Sequence, residues 1–141
     1  EGKYPRVIGR SIGGEALKVL QWMQTADEAR LAVAHQKLSL ELKRATDGNT
    51  TQEIDLQCIA IGGIYFIGLP GEIFVELGFD IVNRSRRENL FVMSMTNGSI
   101  GYIPIELAYA QGGYESNSSR FRPGCGERMA DAAVELLNQM R

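Results

Sequence analysis

Alternation of apolar and polar positions is the main pattern in the first half of the chain. Three stretches have the length and composition of strands: residues 30–43, 53–61 and 64–69. Gly62-Gly63, between the last two, is typical of a two-residue hairpin turn, and Asp47-Gly48-Asn49 supplies the turn chemistry of a loop over residues 45–52. The pattern therefore predicts an antiparallel three-stranded meander whose first strand has one apolar and one polar face.

Apolar residues at intervals of three and four predict helices in the other parts of the chain. The predicted helices cover residues 7–23, 72–87, 105–111 and 127–140, and residues 114–123 read as a polar loop. Asn89 to Thr96 is a further strand. It should lie parallel to residues 64–69, because a right-handed strand–helix–strand crossover returns in the same direction.

These elements predict an α+β fold with one mixed sheet, in which an antiparallel meander and one parallel βαβ unit are packed with helices. The chain has 141 residues, of which 44% are hydrophobic and 23% are charged. This size and composition suit a single soluble domain over residues 1–141.

Charge and hydropathy argue against a nucleic-acid-binding function and against a transmembrane helix. The formal charge is −2 and the pI is near 5.5, which argues against a nucleic-acid partner. No apolar run approaches the ~20 residues of a transmembrane helix. Residues 1–6 lack the apolar core and cleavage site of a signal peptide, and the missing initiator Met suggests a processed or trimmed chain. Arg84, Arg86 and Arg87 form the one dense basic cluster. It is interpreted as a solvated helix end, and an anion contact is the alternative.

The two cysteines and the single histidine lead to the hypothesis of a cysteine hydrolase. Cys58 lies in a strand pattern and is expected to be a small buried hydrophobe. Cys125 falls near a predicted helix start, where the pKa of a thiol is lowered. A catalytic cysteine needs a histidine partner, and only His35 is present. His35 lies on the polar face of its strand, so a surface position is expected and a metal-ligand role is the alternative.

Three polar segments are expected to meet at one edge of the sheet, outside the carboxyl ends of its strands, where ligands bind in open α/β sheets. They are Pro70-Gly71-Glu72, residues 97–102 and residues 114–119. Glu72 would begin the helix that follows, and its alternative role is to interact favourably with that helix dipole. Tyr102, Tyr114, Asn97 and Ser118 supply the hydroxyl and amide groups. A packed aromatic is the alternative for Tyr102, and a turn is the alternative for Asn97-Gly98.

Three of these motifs together resemble a known enzyme family. Leu69-Pro70-Gly71-Glu72, Gly101-Tyr102-Ile103 and Tyr114-Glu115-Ser116 are similar to the later part of the catalytic domain of neutral/alkaline (non-lysosomal) ceramidases, over about residues 55–141. The resemblance implies that Glu72 and Tyr102 are zinc ligands and that Tyr114 is a substrate-side hydroxyl.

The same resemblance implies zinc-assisted hydrolysis of an N-acyl linkage in a ceramide-like lipid amide. Zinc would lower the pKa of its bound water toward ~7 and polarise the amide carbonyl. Tyr102 or Tyr114 would stabilise the oxyanion, and Asn97 and Ser118 are candidate substrate-binding groups. Because ceramidase relatives are often secreted or face the outside of the cell, a secreted or periplasmic location is the family-level expectation.

The chain departs from the family in two ways. The zinc of the family also needs two histidines from a preceding region, whereas this chain has only His35. The chain is therefore expected to be a C-terminal fragment of a larger catalytic domain, inactive and metal-poor alone. The family pattern Tyr-x-x-Tyr-x-Thr-Thr appears here as residues 99–105, without its first Tyr and both threonines, which suggests a different amide substrate.

Two structural arrangements distinguish the leading hypotheses. An enzyme fragment requires the Glu72 and Tyr102 side chains to lie within a few ångströms of each other beside an open cleft. It should also expose an apolar patch, through which it could form a homodimer. A non-catalytic interaction domain requires Glu72 at its own helix N-terminus, Tyr102 packed away and no shared cavity. The third hypothesis, a cysteine hydrolase, requires Cys125 and His35 within hydrogen-bond reach.

Overall fold

A four-stranded mixed sheet, with helices on one face, forms the body of the molecule. The computed structural model describes residues 2–140. Its elements are α1 (Lys3–Leu20), β1 (Leu31–Thr46), β2 (Asn49–Ile61), β3 (Ile64–Gly68), β4 (Glu72–Ile73), α2 (Val75–Ser85), β5 (Leu90–Met93), β6 (Tyr102–Ile103), α3 (Glu106–Gln111), α4 (Tyr114–Ser118) and α5 (Cys125–Gln139). The strand order is β1-β2-β3-β5, and β4 pairs with β6 in a separate two-stranded sheet.

The predicted topology is confirmed. The pairs β1–β2 and β2–β3 are antiparallel, and β3 and β5 are parallel and joined through α2. The loop predicted over residues 45–52 is wrong in length, because Asp47 and Gly48 alone make the turn, with φ of 50° and 80°. Thr46 then pairs with Asn49. This tight turn lets both strands run further than the alternation of apolar residues indicated.

The core lies between the inner face of the sheet and the helices α2 and α5. Leu40, Leu56 and Ile67 are fully buried on successive strands. Six apolar residues at helical spacing in α5 and at its C-terminal end are buried, which confirms the predicted helix: Met129, Ala132, Ala133, Leu136, Leu137 and Met140. Each large apolar side chain buried in this way stabilises the fold by about 1.5–3 kcal/mol.

Several predicted boundaries are wrong. Helix α2 begins at Val75 rather than at Glu72, because Glu72 and Ile73 are paired with β6. Residues 114–118 form the short helix α4 inside the stretch predicted as a loop. Further along that stretch, Phe121 is fully buried and pairs with Leu42 beside the edge of β1.

The basic cluster at the end of α2 is only partly solvated. The guanidinium of Arg87 donates to the hydroxyl of Tyr65 at 3.0 Å and to the carbonyl oxygens of Leu137 and Met140 at 2.9 and 2.7 Å. Arg87 therefore satisfies carbonyl groups at the end of α5, where a cation is favoured by the helix dipole. The interpretation of all three arginines as a solvated helix end is wrong for Arg87.

The helix α1 differs from the rest of the fold in its exposure. It covers Lys3–Leu20, rather than the predicted residues 7–23, and all of its residues are exposed. Among residues 2–140, no helix is both long enough and apolar enough to span a bilayer.

Candidate functional site

The two-residue strands β4 and β6 bring Glu72 and Tyr102 together. They are parallel, and Glu72 is the register partner of Tyr102. The amide of Glu72 donates to the carbonyl oxygen of Gly101 at 3.0 Å, and the amide of Phe74 donates to that of Ile103 at 3.1 Å. Paired residues on neighbouring strands lie about 4.8 Å apart and point to the same side. A carboxylate and a phenol that are distant in the sequence therefore lie side by side.

Gly71 makes this pairing sterically feasible. A Cβ atom on Gly71 would lie 2.9 Å from Cγ1 of Ile103 and 3.0 Å from the carbonyl oxygen of Gly101. The second contact is with backbone, which cannot move away without separating β4 from β6. The glycine of the Leu-Pro-Gly-Glu motif is thus explained by a close approach of two backbones.

Tyr114 joins the pair from the start of α4. Its ring meets that of Tyr102 edge to face, with the ring centroids 5.8 Å apart and an interplanar angle of 77°. This arrangement is favourable for two aromatic rings. Arg120 holds the segment before β6 by donating to the carbonyl oxygen of Ile100 at 3.2 Å. The structure therefore brings together three of the predicted site residues, although residues 114–123 were expected to be a loop.

A cleft of about 470 Å³ opens beside these residues. Its lining comprises Glu72, Ile73, Phe74, Val75, Glu76, Tyr102 and Glu115. The lining has three carboxylates and no lysine or arginine, so the cleft favours a cation or the positive end of a dipole. The sequence analysis missed Glu115 as a site residue. Its position next to Tyr114 in the motif Tyr114-Glu115-Ser116 was the available signal.

The electrostatics of the cleft act on Tyr102. The negative charge of Glu72 is the largest cause that raises the pKa of its phenol, followed by loss of solvent and by the nearby Tyr114. The Glu115 carboxylate adds a smaller effect in the same direction. In this chain Tyr102 is therefore a neutral hydrogen-bond donor at physiological pH.

Three predicted site residues do not line the cleft: Tyr114, whose ring contacts that of Tyr102, and also Asn97 and Ser118. Asn97 donates from Nδ2 to Oε1 of Gln57 at 2.9 Å and has φ of 63°, so it takes the turn role that the sequence analysis left open. Ser118 is exposed at the last position of α4. Neither residue lines the cleft with Glu72 and Tyr102. The backbone segments of Asn97 and Ser118 are therefore not accompanied into the cleft by these two side chains.

The cysteine hydrolase hypothesis has no geometric support. Cys125 is buried beneath the sheet on the side of α5, and its thiol lies 3.5 Å from the carbonyl oxygen of Glu41. Burial is the largest cause that raises its pKa, which makes the thiol less reactive. His35 is exposed on the opposite face of the sheet, opposite Gln57. The sheet therefore separates the two side chains.

The arrangement required by the interaction-domain hypothesis also differs from the structure. Helix α2 is preceded by Phe74, and it is Glu76 that lies in its first turn. Glu72 is thus in a strand before the helix, and Tyr102 lines an open cleft rather than being packed away.

Glu72 and Tyr102 do not complete a zinc site by themselves. Over residues 2–140, no three His, Cys, Asp or Glu side chains form a group that could hold a metal ion. A catalytic zinc ion usually has three protein ligands and a water. The carboxylate and the phenol are oxygen donors that fit part of such a site, and at least one further ligand has to come from elsewhere.

Comparison with solved structures identifies the fold class of this region. The chain shares its α+β fold with part of a larger enzyme over about three fifths of its length. The matches are to ceramidases. A ceramidase complexed with C2 matches with a TM-score of 0.58 and 20% sequence identity, over 63% of this chain and 15% of that chain. A neutral ceramidase from Pseudomonas aeruginosa matches with a TM-score of 0.53 and 19% identity, over 61% of this chain and 15% of that chain.

These similarities confirm the predicted resemblance at the level of the fold. This chain spans about a seventh of the length of the ceramidase chains that it matches. No protein-family model and no curated protein matches the sequence.

Proposed function

We propose that this chain is the C-terminal part of the catalytic domain of a larger zinc-dependent amide hydrolase resembling neutral ceramidase. In this proposal Glu72 and Tyr102 are two of the zinc ligands and Tyr114 is a hydroxyl on the substrate side. The observation that carries the proposal is the in-register pairing of Glu72 with Tyr102, with the ring of Tyr114 against that of Tyr102.

The cleft supports a cation at this position. Three carboxylates line it and no lysine or arginine does, so the charge of the lining favours a bound cation. Zinc accepts carboxylate oxygen among its ligands. Its positive charge would also reverse the local influence of Glu72 on Tyr102, since a nearby cation lowers the pKa of a phenol.

The chain's own residues have defined roles in this proposal. Ile73, Phe74 and Val75 form an apolar wall beside the polar groups of the cleft. A lipid amide, with a polar amide next to hydrocarbon, matches this combination. The hydroxyl of Tyr114 would donate a hydrogen bond to the amide oxygen as negative charge develops there. A bound metal would supply Lewis-acid polarisation and an activated water.

The remaining zinc ligands would be two histidines in a preceding part of the longer protein. Alone, the 141-residue chain is expected to bind zinc weakly and to hydrolyse no amide, because two oxygen ligands leave the metal undercoordinated.

The test is the zinc content and the N-acyl hydrolase activity of the longer protein that contains this chain. We expect about one zinc ion per molecule, and two histidines upstream in metal-ligand contexts. Glu72→Gln and Tyr102→Phe should each weaken zinc binding by more than ~10-fold, since even residues that only orient zinc ligands have effects of that size.

Glu88→Gln is the matched control, because Glu88 is an exposed carboxylate outside the cleft. It should retain full zinc content and activity. Full zinc occupancy in both Glu72→Gln and Tyr102→Phe would contradict the proposal, as would the absence of upstream histidines.

A further inference from the structure

The exposed helix α1 has an apolar side. Ile8, Ile12, Val19 and Leu20 recur at helical spacing on one side, and they are 54–66% exposed. The opposite side carries the basic residues Lys3, Arg10 and Lys18 together with the apolar Val7 and Leu17. An amphipathic helix in a folded protein normally buries such a stripe against another element.

The interior of α1 also suggests that it needs a partner. Gly9, Gly13 and Gly14 lie within the helix, with no atom within 4 Å of a Cβ atom built on any of them. Each glycine costs a solvent-exposed helix about 1 kcal/mol relative to alanine. In proteins, most of the stability of a helix comes from packing of its apolar face rather than from helix propensity. Packing against another element would therefore stabilise α1.

The outer face of the sheet, opposite α2 and α5, is apolar at one end. Register partners place Leu31, Ile61 and Ile64 in one row across three strands. The next row runs across all four strands and includes Val33, Phe66 and Phe91. Leu31, Val33 and Phe91 are 67%, 63% and 56% exposed. Contiguous apolar patches of this kind are uncommon on monomeric proteins and usually mark an interaction surface.

The linker between α1 and β1 favours α1 of the same chain as the element that covers the outer face of the sheet. Ten residues, 21–30, join the end of α1 to Leu31, which lies in the first apolar row. Ten extended residues reach about 33 Å, whereas the four strands span only about 14 Å across the sheet. The tether thus allows α1 to lie on the sheet of its own chain. A short flexible linker also gives a millimolar effective concentration, well above that of a second copy in dilute solution.

We propose that α1 folds back onto the outer face of the sheet in the same chain. Its stripe of Ile8, Ile12, Val19 and Leu20 packs on the two rows that contain Leu31 and Val33. The body then becomes three layers, with helices on both faces of the sheet. This surface is separate from the cleft of Glu72 and Tyr102, so the inference does not depend on the proposed function.

Pairs of introduced cysteines test the packing of α1 on the sheet in the 141-residue chain. Ile12→Cys combined with Val33→Cys is treated with a short thiol crosslinker and resolved on a denaturing gel. The natural cysteines Cys58 and Cys125 are 0% and 3% exposed and should not react in the folded protein. We expect an intramolecular crosslink in most molecules, at a yield that does not change with protein concentration.

Lys18→Cys combined with Val33→Cys is the matched control, because Lys18 lies on a different side of α1 from Ile12. It should crosslink at least ~10-fold more slowly. Since every substituted side chain is exposed, circular dichroism should show an unchanged fold. A second pair, Val19→Cys with Ile64→Cys, repeats the test if the first pair is misfolded.

Three results would overturn the proposal. A crosslinked dimer would assign the outer face to a second copy, as in the homodimer predicted from the sequence. Equal crosslinking rates for the Ile12–Val33 and Lys18–Val33 pairs would show that α1 does not pack on the sheet in a fixed orientation. No crosslink in either the Ile12–Val33 or the Val19–Ile64 pair would show that the two apolar surfaces do not meet.

Discussion

The two faces of the four-stranded sheet differ in how far the body of this chain covers them. On the inner face, Leu40, Leu56 and Ile67 are fully buried under α2 and α5. On the outer face, Leu31 and Val33 are more than half exposed, although they belong to the same strand as Leu40. The inner face of the sheet is thus covered by helices of the body and forms the hydrophobic core. The outer face and the cleft beside Glu72 and Tyr102 are both open surfaces that the body does not cover.

The largest difference between the two faces should appear in stability. Leu56→Ala removes a fully buried side chain and should lower the free energy of unfolding by about 2–5 kcal/mol. His35→Ala, further along the outer face of the same strand and outside its two apolar rows, should cost less than ~1 kcal/mol, because its side chain is exposed. Urea denaturation of both variants makes the comparison. Similar losses for the two would mean that the outer face is as tightly packed as the core.

Two glycine-to-alanine substitutions should change the stability of the chain in opposite directions. Gly71→Ala places a methyl group 3.0 Å from the Gly101 carbonyl oxygen and should destabilise the chain by about 1–3 kcal/mol, as overpacking does. Gly78→Ala lies within α2, where nothing lies within 4 Å of the added atom, and should stabilise by up to ~1 kcal/mol. Thermal unfolding measures both changes. A stable Gly71→Ala variant would contradict the tight pairing of β4 with β6.

Sequence patterns predicted the large elements because those elements bury one face. The alternation in β1 and the helical spacing in α5 follow directly from which side chains meet the core. The parallel order of β3 and β5 followed from the handedness of the crossover. These rules were enough to bring the segments of Glu72 and Tyr102 to one side of the sheet.

The local geometry of the site could not be predicted in the same way. Strands β4 and β6 have two residues each, which is too short for any periodicity to appear in the sequence. Their pairing is set by backbone hydrogen bonds and by the space that Gly71 leaves free. As a result Glu72 was wrongly assigned to the first turn of α2. Phe121 was missed as a core residue because its neighbours in the sequence are polar.

The smallest of the expected effects tests the central claim most directly, namely that the carboxylate of Glu72 and the phenol of Tyr102 lie side by side. A raised pKa means that the phenol keeps its proton to higher pH, so removing the negative charge responsible should lower that pKa. NMR titration of the Tyr102 ring, without metal, follows this in the wild type, Glu72→Gln, Glu115→Gln and Glu88→Gln.

We predict a downward shift of the Tyr102 pKa that is largest in Glu72→Gln, smaller in Glu115→Gln and absent in Glu88→Gln, following the order of the causes in the structure. An unchanged Tyr102 titration in Glu72→Gln would show that the two groups are apart, and would contradict the proposed metal site.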